Sequence, residues 1–522
     1  LSFLQFEMFF KRMLFLLPVL TGLLLFASFP RVDQGYLAWI AFIPIAVFID
    51  RVSGIRKAFG GGFLLGFVQG FSLMTWMPVV LMHYGGLPPL LAWLAYSMLI
   101  AVLACYPAAV CGLTKYLVCR GGDVYLLVFP ALWVLSEYVQ SFAPFGGLPW
   151  LTIGYSQSGY LPVIQISEIT GVYGISFALA WTGIAIQRIF KKKASGVAAW
   201  LPAVLSMGMI AAMVCYGLLA LHHWGNLNPR FRAAMLQKNI SYDDPHGVLM
   251  DKFLNGYVRM ADSLQPPCAD LLLLPESPSP VFFETDARYR QILQSLSGRF
   301  RMGIIFNNVR YVDSGEESRF YNTAYFMNRA GSLYGVYDKI HLVPFGEYIP
   351  LKKVLSFIEV ISKDVGSFEF GSDYRVLKLD GHPVNAVICF EAVFPGMVRR
   401  FIRQGSELIV NLTNDGWYGN SAAPFQHLAI ARFRAVESRR FFLRSTNSGI
   451  SAVINPDGRI QASTGILREQ VCEGRFDFIA AKTIYTRYGD VFVLLCAIIS
   501  VGSALFAGLR NAGFNERSVE EE

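Results

Sequence analysis

Between residues 13 and 220 the chain repeats one pattern, an apolar run followed by a short polar connection. The runs fall at 13–29, 36–50, 58–82, 89–112, 124–141, 168–188 and 198–220, and VFVLLCAIISVGSALFAGL follows at 491–509. An α-helix of about 20 apolar residues spans a bilayer's hydrocarbon core. The pattern therefore predicts seven transmembrane helices in residues 1–225 and a last one in 489–522, followed by a tail. The 36–50 run is the shortest and contains Pro44.

The connections carry charge on alternate sides. Lys11 and Arg12 precede the first run, Arg51, Arg56 and Lys57 follow the second, and Lys115 and Arg120 follow the fourth. Arg188, Lys191, Lys192 and Lys193 follow the sixth, and Arg510 and Arg517 the eighth, whereas the intervening loops hold only Arg31. Basic loops stay cytoplasmic, so both termini are expected inside and residues 226–488 outside. The basic start and apolar core of the first run also fit a signal peptide, but the spans that follow and the loop alternation favour a retained helix.

Residues 226–488 change period. FRAAMLQ, DLLLLPE, MGIIFNNV, VNAVICF, SELIVNLT and ISAVINPDG read as strands, and VLMDKFLNGYVRMADSL and AIARFRAVESRRFF as helices between them. Such alternation predicts an α/β layered domain with a buried sheet.

Composition agrees with lipid as part of the solvent. Of 522 residues 54% are hydrophobic and only 16% charged, against about 25% charged in soluble domains, and the mean hydropathy is +0.43. The net charge of +8 does not point to nucleic acid, because much of it flanks apolar runs. The eight cysteines form no CxxC pair or zinc-type cluster, and no spacing implies a metal or organic cofactor. A Cys268–Cys472 disulfide is left open.

Three places in the hydrophilic block break the packing logic. DLLLL runs into Pro275-Glu276, which sets a carboxylate at the end of a buried strand, where partial burial would make it a better base. YGVYDKIHLVPFGEYIP holds Lys339 and Glu347. VNAVICFEAVFPG delivers Cys389 from an apolar strand, with Phe390 and Glu391 next. Taken singly these read as a salt-bridged glutamate, a solvated lysine and an inert core thiol, although a cation beside a thiol favours the thiolate.

Together, Glu, Lys and Cys in that order at strand ends resemble the carbon–nitrogen hydrolase (nitrilase) superfamily, over essentially all of 226–488. The resemblance implies an α-β-β-α sandwich and a triad of Glu276 as base, Lys339 and the nucleophile Cys389. PFGEYIP, CFEAVFP and NDGWYGNSAAPFQH, with FGGLPWLTIGYSQ at 145–157 in the apolar half, further resemble the bacterial apolipoprotein N-acyltransferase family. That family implies acyl transfer from a phospholipid, phosphatidylethanolamine-like, through a Cys389 thioester to the amine of a diacylglyceryl-cysteine apolipoprotein. It implies a multi-pass protein of the inner membrane with its catalytic domain on the periplasmic side.

By the same resemblance, Lys339 and the backbone N–H of Phe390 would hold the oxyanion, and Glu347 and Glu391 would hold Lys339 or orient the site. Trp417 and Tyr418 are expected to line a lipid path or to be core, and Asn322 matches a family position. Phe390 stands where some relatives carry tyrosine, so no hydroxyl is required there. Residues 351–363 form an amphipathic stripe, expected either as a mobile lid or as an ordinary packed helix. Glu137 and Glu168 lie in or beside apolar runs without an assigned role. The alternatives are a membrane-tethered amidase or nitrilase, in which water resolves the thioester, and a transport or binding protein. The absence of paired repeats speaks against a transporter.

Overall fold

The computed structural model describes residues 13–122, 125–190, 197–241, 243–264, 269–313, 318–349 and 368–520. It divides into two compact units, one comprising Leu1–Thr75, Trp93–Ala220 and Asp490–Glu522, the other Trp76–Ala92 and Leu221–Gly489. The sequence boundary expected at 225/226 falls at 220/221, and residues 76–92, from the middle of the apolar half, belong with the second unit.

The first unit is helical. Among the described residues three helices are long and apolar enough to cross a membrane, Pro89–Arg120, Val172–Ile189 and Trp200–Gly225, or four if Ile55–Leu73 and Met77–His83 count as one broken span. Leu16–Ser28 and Val491–Ala507 are shorter apolar helices. Among the described residues the eight runs therefore give three or four helices of spanning length. The 36–50 run breaks into a 3-10 turn, Gly35–Trp39, and a ten-residue helix, Phe42–Arg51, and the 124–141 run gives the 16-residue helix Tyr125–Gln140. Large side chains such as Trp200, Leu201, Val204, Leu494, Leu495 and Ile498 are exposed. A surface this apolar is matched by lipid rather than by water.

Inside this unit small residues bring backbones together. A Cβ on Gly62 would stand 2.4 Å from the Pro107 carbonyl oxygen, and one on Gly66 would meet the Pro107 ring at 2.9 Å, so only glycine fits this helix crossing. Glu137 accepts hydrogen bonds from Trp133 Nε1 and from the Ile153 backbone, each at 2.9 Å. It thereby ties Tyr125–Gln140 to the turn after Pro149. Glu168 accepts from the Tyr216 hydroxyl. Both carboxylates are partnered, as apolar surroundings require.

The second unit holds two six-stranded sheets. The strands are β1 (Phe231–Gln237), β2 (Leu271–Leu274), β3 (Gly303–Asp313), β4 (Ser318–Met327), β5 (Leu333–Asp338), β6 (Leu377–Leu379), β7 (His382–Ile388), β8 (Leu408–Thr413), β9 (Phe442–Thr446), β10 (Ala452–Ile454), β11 (Ile460–Ser463) and β12 (Gln470–Phe476). Their orders are β12-β1-β2-β3-β4-β5 and β11-β10-β9-β8-β7-β6. The central strands β1-β2-β3 and β7-β8-β9 run parallel, and the outer pairs antiparallel. LLLL and LIVNLT are buried throughout, as parallel strands covered on both faces should be.

The sheets pack on each other through a polar knot as well as apolar side chains. Gln237 Oε1 accepts from Thr446, Ser451 and Thr464 hydroxyls at 2.9, 2.8 and 2.7 Å. Helices His246–Leu254, Gly256–Asp262 and Ala287–Phe300 cover the first sheet and share a core with it, including Phe253, Tyr257, Leu293 and Phe306. Helices Pro395–Arg403 and Ala423–Ser438 cover the second. The result is the α-β-β-α sandwich. The ends of β2, β5 and β7 deliver Glu276, Lys339 and Cys389. Cys268 and residues 351–363 lie outside the described residues; Cys472 is buried on β12.

Candidate active site

Each of the three residues leaves its strand into one cluster of buried side chains. Cys389 follows β7 with φ +48°, a left-handed conformation that a non-glycine residue adopts at a cost of order 1–3 kcal/mol. The turn lifts the thiol off the strand and is held by Glu391. One oxygen of this buried carboxylate accepts from the Ile388 N–H at 2.7 Å, and the other from the Ile340 and His341 N–H groups at 2.8 and 3.0 Å and from the Tyr337 hydroxyl at 2.8 Å. Glu391 thus joins the start of the Cys389 turn to the segment just after Lys339. Burial, partly offset by the Ile388 N–H and Lys339, pushes its carboxyl up to about 7.

Lys339 is 1% exposed. Its ammonium lies 2.8 Å from Glu347 Oε1 and 3.8 Å from Glu276 Oε1. Burial opposes the charge, but Glu347, Glu276 and Cys389 outweigh it and raise the lysine pKa. The lysine therefore stays an ammonium and serves poorly as a base.

Asn322, on β4, sits between the two carboxylates. Its amide donates to Glu276 Oε1 at 2.7 Å and to Glu347 Oε1 at 2.8 Å, and its own carbonyl oxygen accepts from Asn307 at 2.7 Å. The Asn322 backbone oxygen also accepts from the Lys339 N–H at 2.8 Å. Glu276 Oε2 takes the Asn414 N–H at 3.1 Å, and the Cys389 thiol is a further hydrogen-bond partner. Burial raises the Glu276 pKa, and Glu347 adds to this while Lys339 opposes it.

Burial and then Glu276 also push the Cys389 thiol up, with Lys339 opposing. The ammonium is shared by two carboxylates, and burial beside Glu276 favours the protonated form of the thiol.

Trp417 and Tyr418 lie in the 3-10 turn Asp415–Tyr418, half-buried against residues 76–92 of the same unit. Tyr84 meets the Trp417 ring at 4.5 Å and donates to the Gly416 carbonyl oxygen at 3.3 Å, and Trp76 meets Tyr418 at 4.8 Å. The Tyr418 phenol is raised well above its usual value by burial, then by Cys389 and Asp415.

The family comparisons divide the chain into two parts, which match the two units except for residues 76–92. The model for the apolipoprotein N-acyltransferase N-terminal domain matches residues 21–185, and that for carbon-nitrogen hydrolase matches 232–483. An apolipoprotein N-acyltransferase of Geobacter metallireducens is 36% identical over 97% of this chain and 96% of its own. The chain belongs to the apolipoprotein N-acyltransferase family. Other members similar to it are from Chlorobaculum tepidum, 28% identical over 95% of this chain and 97% of its own, and Nitrosomonas europaea, 31% identical over 86% and 90%.

In this acyltransferase family member, one group near Cys389 was not singled out from sequence. Asp415, His427 and Arg444 are fully buried behind Cys389. Arg444 Nη2 donates to Asp415 Oδ2 at 2.6 Å and Nη1 to Asn411 Oδ1 at 2.6 Å, while His427 Nδ1 lies 3.0 Å from Asp415 Oδ1. His427 also hydrogen-bonds the Cys389 backbone. Gly449 closes over this cluster, since a Cβ there would lie 2.2 Å from Asp415 Oδ2. The available signal was Arg444 itself, a charge inside the apolar strand FFLRST. His341, also missed, packs on Phe394 at 3.8 Å between ring centroids, and burial followed by Lys339 lowers its pKa to about 4. It is a neutral wall of the pocket.

Proposed function

We propose that this chain transfers a fatty acyl group from a phospholipid to the N-terminal amine of an apolipoprotein's diacylglyceryl-cysteine, through a thioester on Cys389. The observation that carries this reading is the buried Cys389 thiol hydrogen-bonded to Glu276, beside a Lys339 ammonium paired with Glu347 at 2.8 Å, in a member of this family.

In the first half-reaction Glu276 takes the thiol proton as sulfur attacks the ester carbonyl. The oxyanion that forms is met by Lys339 and the Phe390 N–H, donors already in place before reaction. Collapse expels the lysophospholipid alkoxide, which receives the proton from Glu276, and leaves the thioester. In the second half-reaction the amine attacks the thioester, Glu276 accepts its proton, and collapse forms the amide and returns the proton to the sulfur. Glu347 and Asn322 position Lys339 and Glu276; Glu391 positions the backbone around Lys339 and Cys389. Trp417 and Tyr418 line the path of an acyl chain.

On this reading the protein resides in the bacterial inner membrane, with the catalytic unit on the periplasmic face, where mature lipoproteins present their amines. The phospholipid donor is of the phosphatidylethanolamine kind. A reaction with that lipid and a diacylated lipopeptide, bearing either a free or an acetylated amine, tests the proposal. Equal amounts of N-acylated peptide and lysophospholipid are expected with the free amine only. Free fatty acid without acylated peptide would replace the proposal with a membrane-tethered hydrolase.

A further inference from the structure

The helix that follows the nucleophile turn, Pro395–Arg403, is divided sharply. Met397, Val398, Phe401 and Ile402 are buried against the second sheet. Gly396, Arg399, Arg400 and Arg403 recur at i, i+3, i+4 and i+7 and so share the opposite face. With Gln404 they line a groove of about 370 Å³. A Cβ at Gly396 would meet nothing within 4 Å, so the end of the groove is open.

Two of the cations on this face, Arg400 and Arg403, are held without a carboxylate partner among the described residues. Arg400 lies over the Tyr374 ring at 4.1 Å and Arg399 over Tyr485 at 5.0 Å. Ring faces fix a guanidinium in place while leaving its N–H edge available. Among the described residues no carboxylate pairs with Arg400 or Arg403. A second basic groove of the same unit, lined by Arg288 and Arg299, differs here. Its Arg299 is paired with Asp262, and its Arg288 donates to Asn255.

The position of the face points to its ligand. Arg399 packs against Gly489, with its guanidinium carbon 3.2 Å from where a Cβ would stand, and apolar helix Val491–Ala507 begins two residues later. Lys482 donates to the Arg403 backbone oxygen at 3.0 Å, and Lys482 and Arg487 are both exposed. Ile484 and Tyr488, on the short helix between them, are 50% and 69% exposed. Cations interleaved with an exposed tyrosine and isoleucine at the root of an apolar helix suit the headgroup layer, where tyrosine and basic side chains settle.

We infer that the Arg400/Arg403 face of helix Pro395–Arg403 is a binding surface for the phosphate of a phospholipid headgroup, distinct from the Cys389 pocket. It holds the catalytic unit against the headgroup layer. The inference shares with the proposed function only the premise that this protein works at a phospholipid surface.

The test uses full-length protein in detergent carrying Cys389→Ala, so that no lipid is consumed and the result does not depend on the thioester chemistry. Native mass spectrometry follows retained lipid as phosphatidylglycerol, diacylglycerol or inorganic phosphate is added, with and without Arg400→Gln and Arg403→Gln together. Each cation near an anionic surface strengthens binding about fivefold. The paired substitution should therefore weaken phosphatidylglycerol retention about tenfold or more and leave diacylglycerol retention unchanged. Arg288→Gln with Arg299→Gln should change neither. Equal phosphatidylglycerol retention in folded wild-type and substituted protein would overturn the inference. So would inorganic phosphate that occupies the site as well as the lipid does, which would assign it to a soluble anion.

Discussion

Lys339 stands 2.8 Å from Glu347 and 3.8 Å from Glu276, so the carboxylate that anchors the ammonium is not the one that hydrogen-bonds the thiol. This separation leaves Glu276 available to take a proton while Lys339 stays fixed. Glu347→Gln removes the anchor but keeps the shape. It should lower kcat by about 10²-fold, the scale of losing one oxyanion donor, with little change in KM for the phospholipid. Single-turnover acyl transfer at saturating donor reads this directly, and a kcat within twofold of wild type would remove Glu347 from the account.

Asn322 donates to both carboxylates and keeps their oxygens from facing each other unshielded. Asn322→Ala leaves Glu276 Oε1 without its hydrogen-bond donor, while Glu347 Oε1 keeps Lys339, at about 1–3 kcal/mol, and should slow transfer about tenfold to a hundredfold. Asn322→Asp adds a third negative charge and should be worse than alanine. Equal rates for the two variants would show that the amide's donors do not matter.

The pH dependence has a definite sign. Glu276 must be ionised to act as base, and its pKa lies above the usual 4.5 because of burial. Activity is therefore lost as pH falls through that raised value, and the acid limb of kcat/KM should lie above pH 4.5. The Cys389 thiol is pushed up from 9.0, so its spontaneous ionisation contributes no separate rise in activity below pH 9. A rate that climbs only toward pH 9 would indicate thiolate formed without Glu276.

Arg444, Asp415 and His427 hold the Cys389 turn from behind. Arg444→Met strands a buried carboxylate and should cost about 3–5 kcal/mol, seen as a lower Tm of the purified protein. Asp415→Asn should be milder, because it keeps a hydrogen-bond acceptor. If these residues position the thiol, a hydrogen-bonding replacement at 427, His427→Gln, should retain more kcat than His427→Ala at matched stability.

Much of the second unit was legible because buried parallel strands such as LLLL and LIVNLT announce themselves, and because Glu276 and Cys389 follow such strands; Lys339 follows the antiparallel edge strand β5 and was legible only through the resemblance. Asn322 was visible only as a matching position; its role emerged when β4 placed its amide between residues 46 and 25 positions away along the chain. The Asp415–His427–Arg444 cluster joins a turn, a helix and a strand, and no local period connects them. The apolar half was read too simply. Hydropathy counts apolar residues but does not see the break before Phe42 or the transfer of residues 76–92 to the catalytic unit, where Tyr84 and Trp76 meet Trp417 and Tyr418.

The central claim is an acyl thioester on one named sulfur, and intact mass spectrometry tests it most directly. Protein incubated with phosphatidylethanolamine should gain one fatty-acyl mass, lose it to hydroxylamine, and lose it to a diacylated lipopeptide with a free amine. Cys389→Ala should gain nothing. A folded wild-type protein that never acquires the adduct, or a Cys389→Ala variant that still does, would contradict the account.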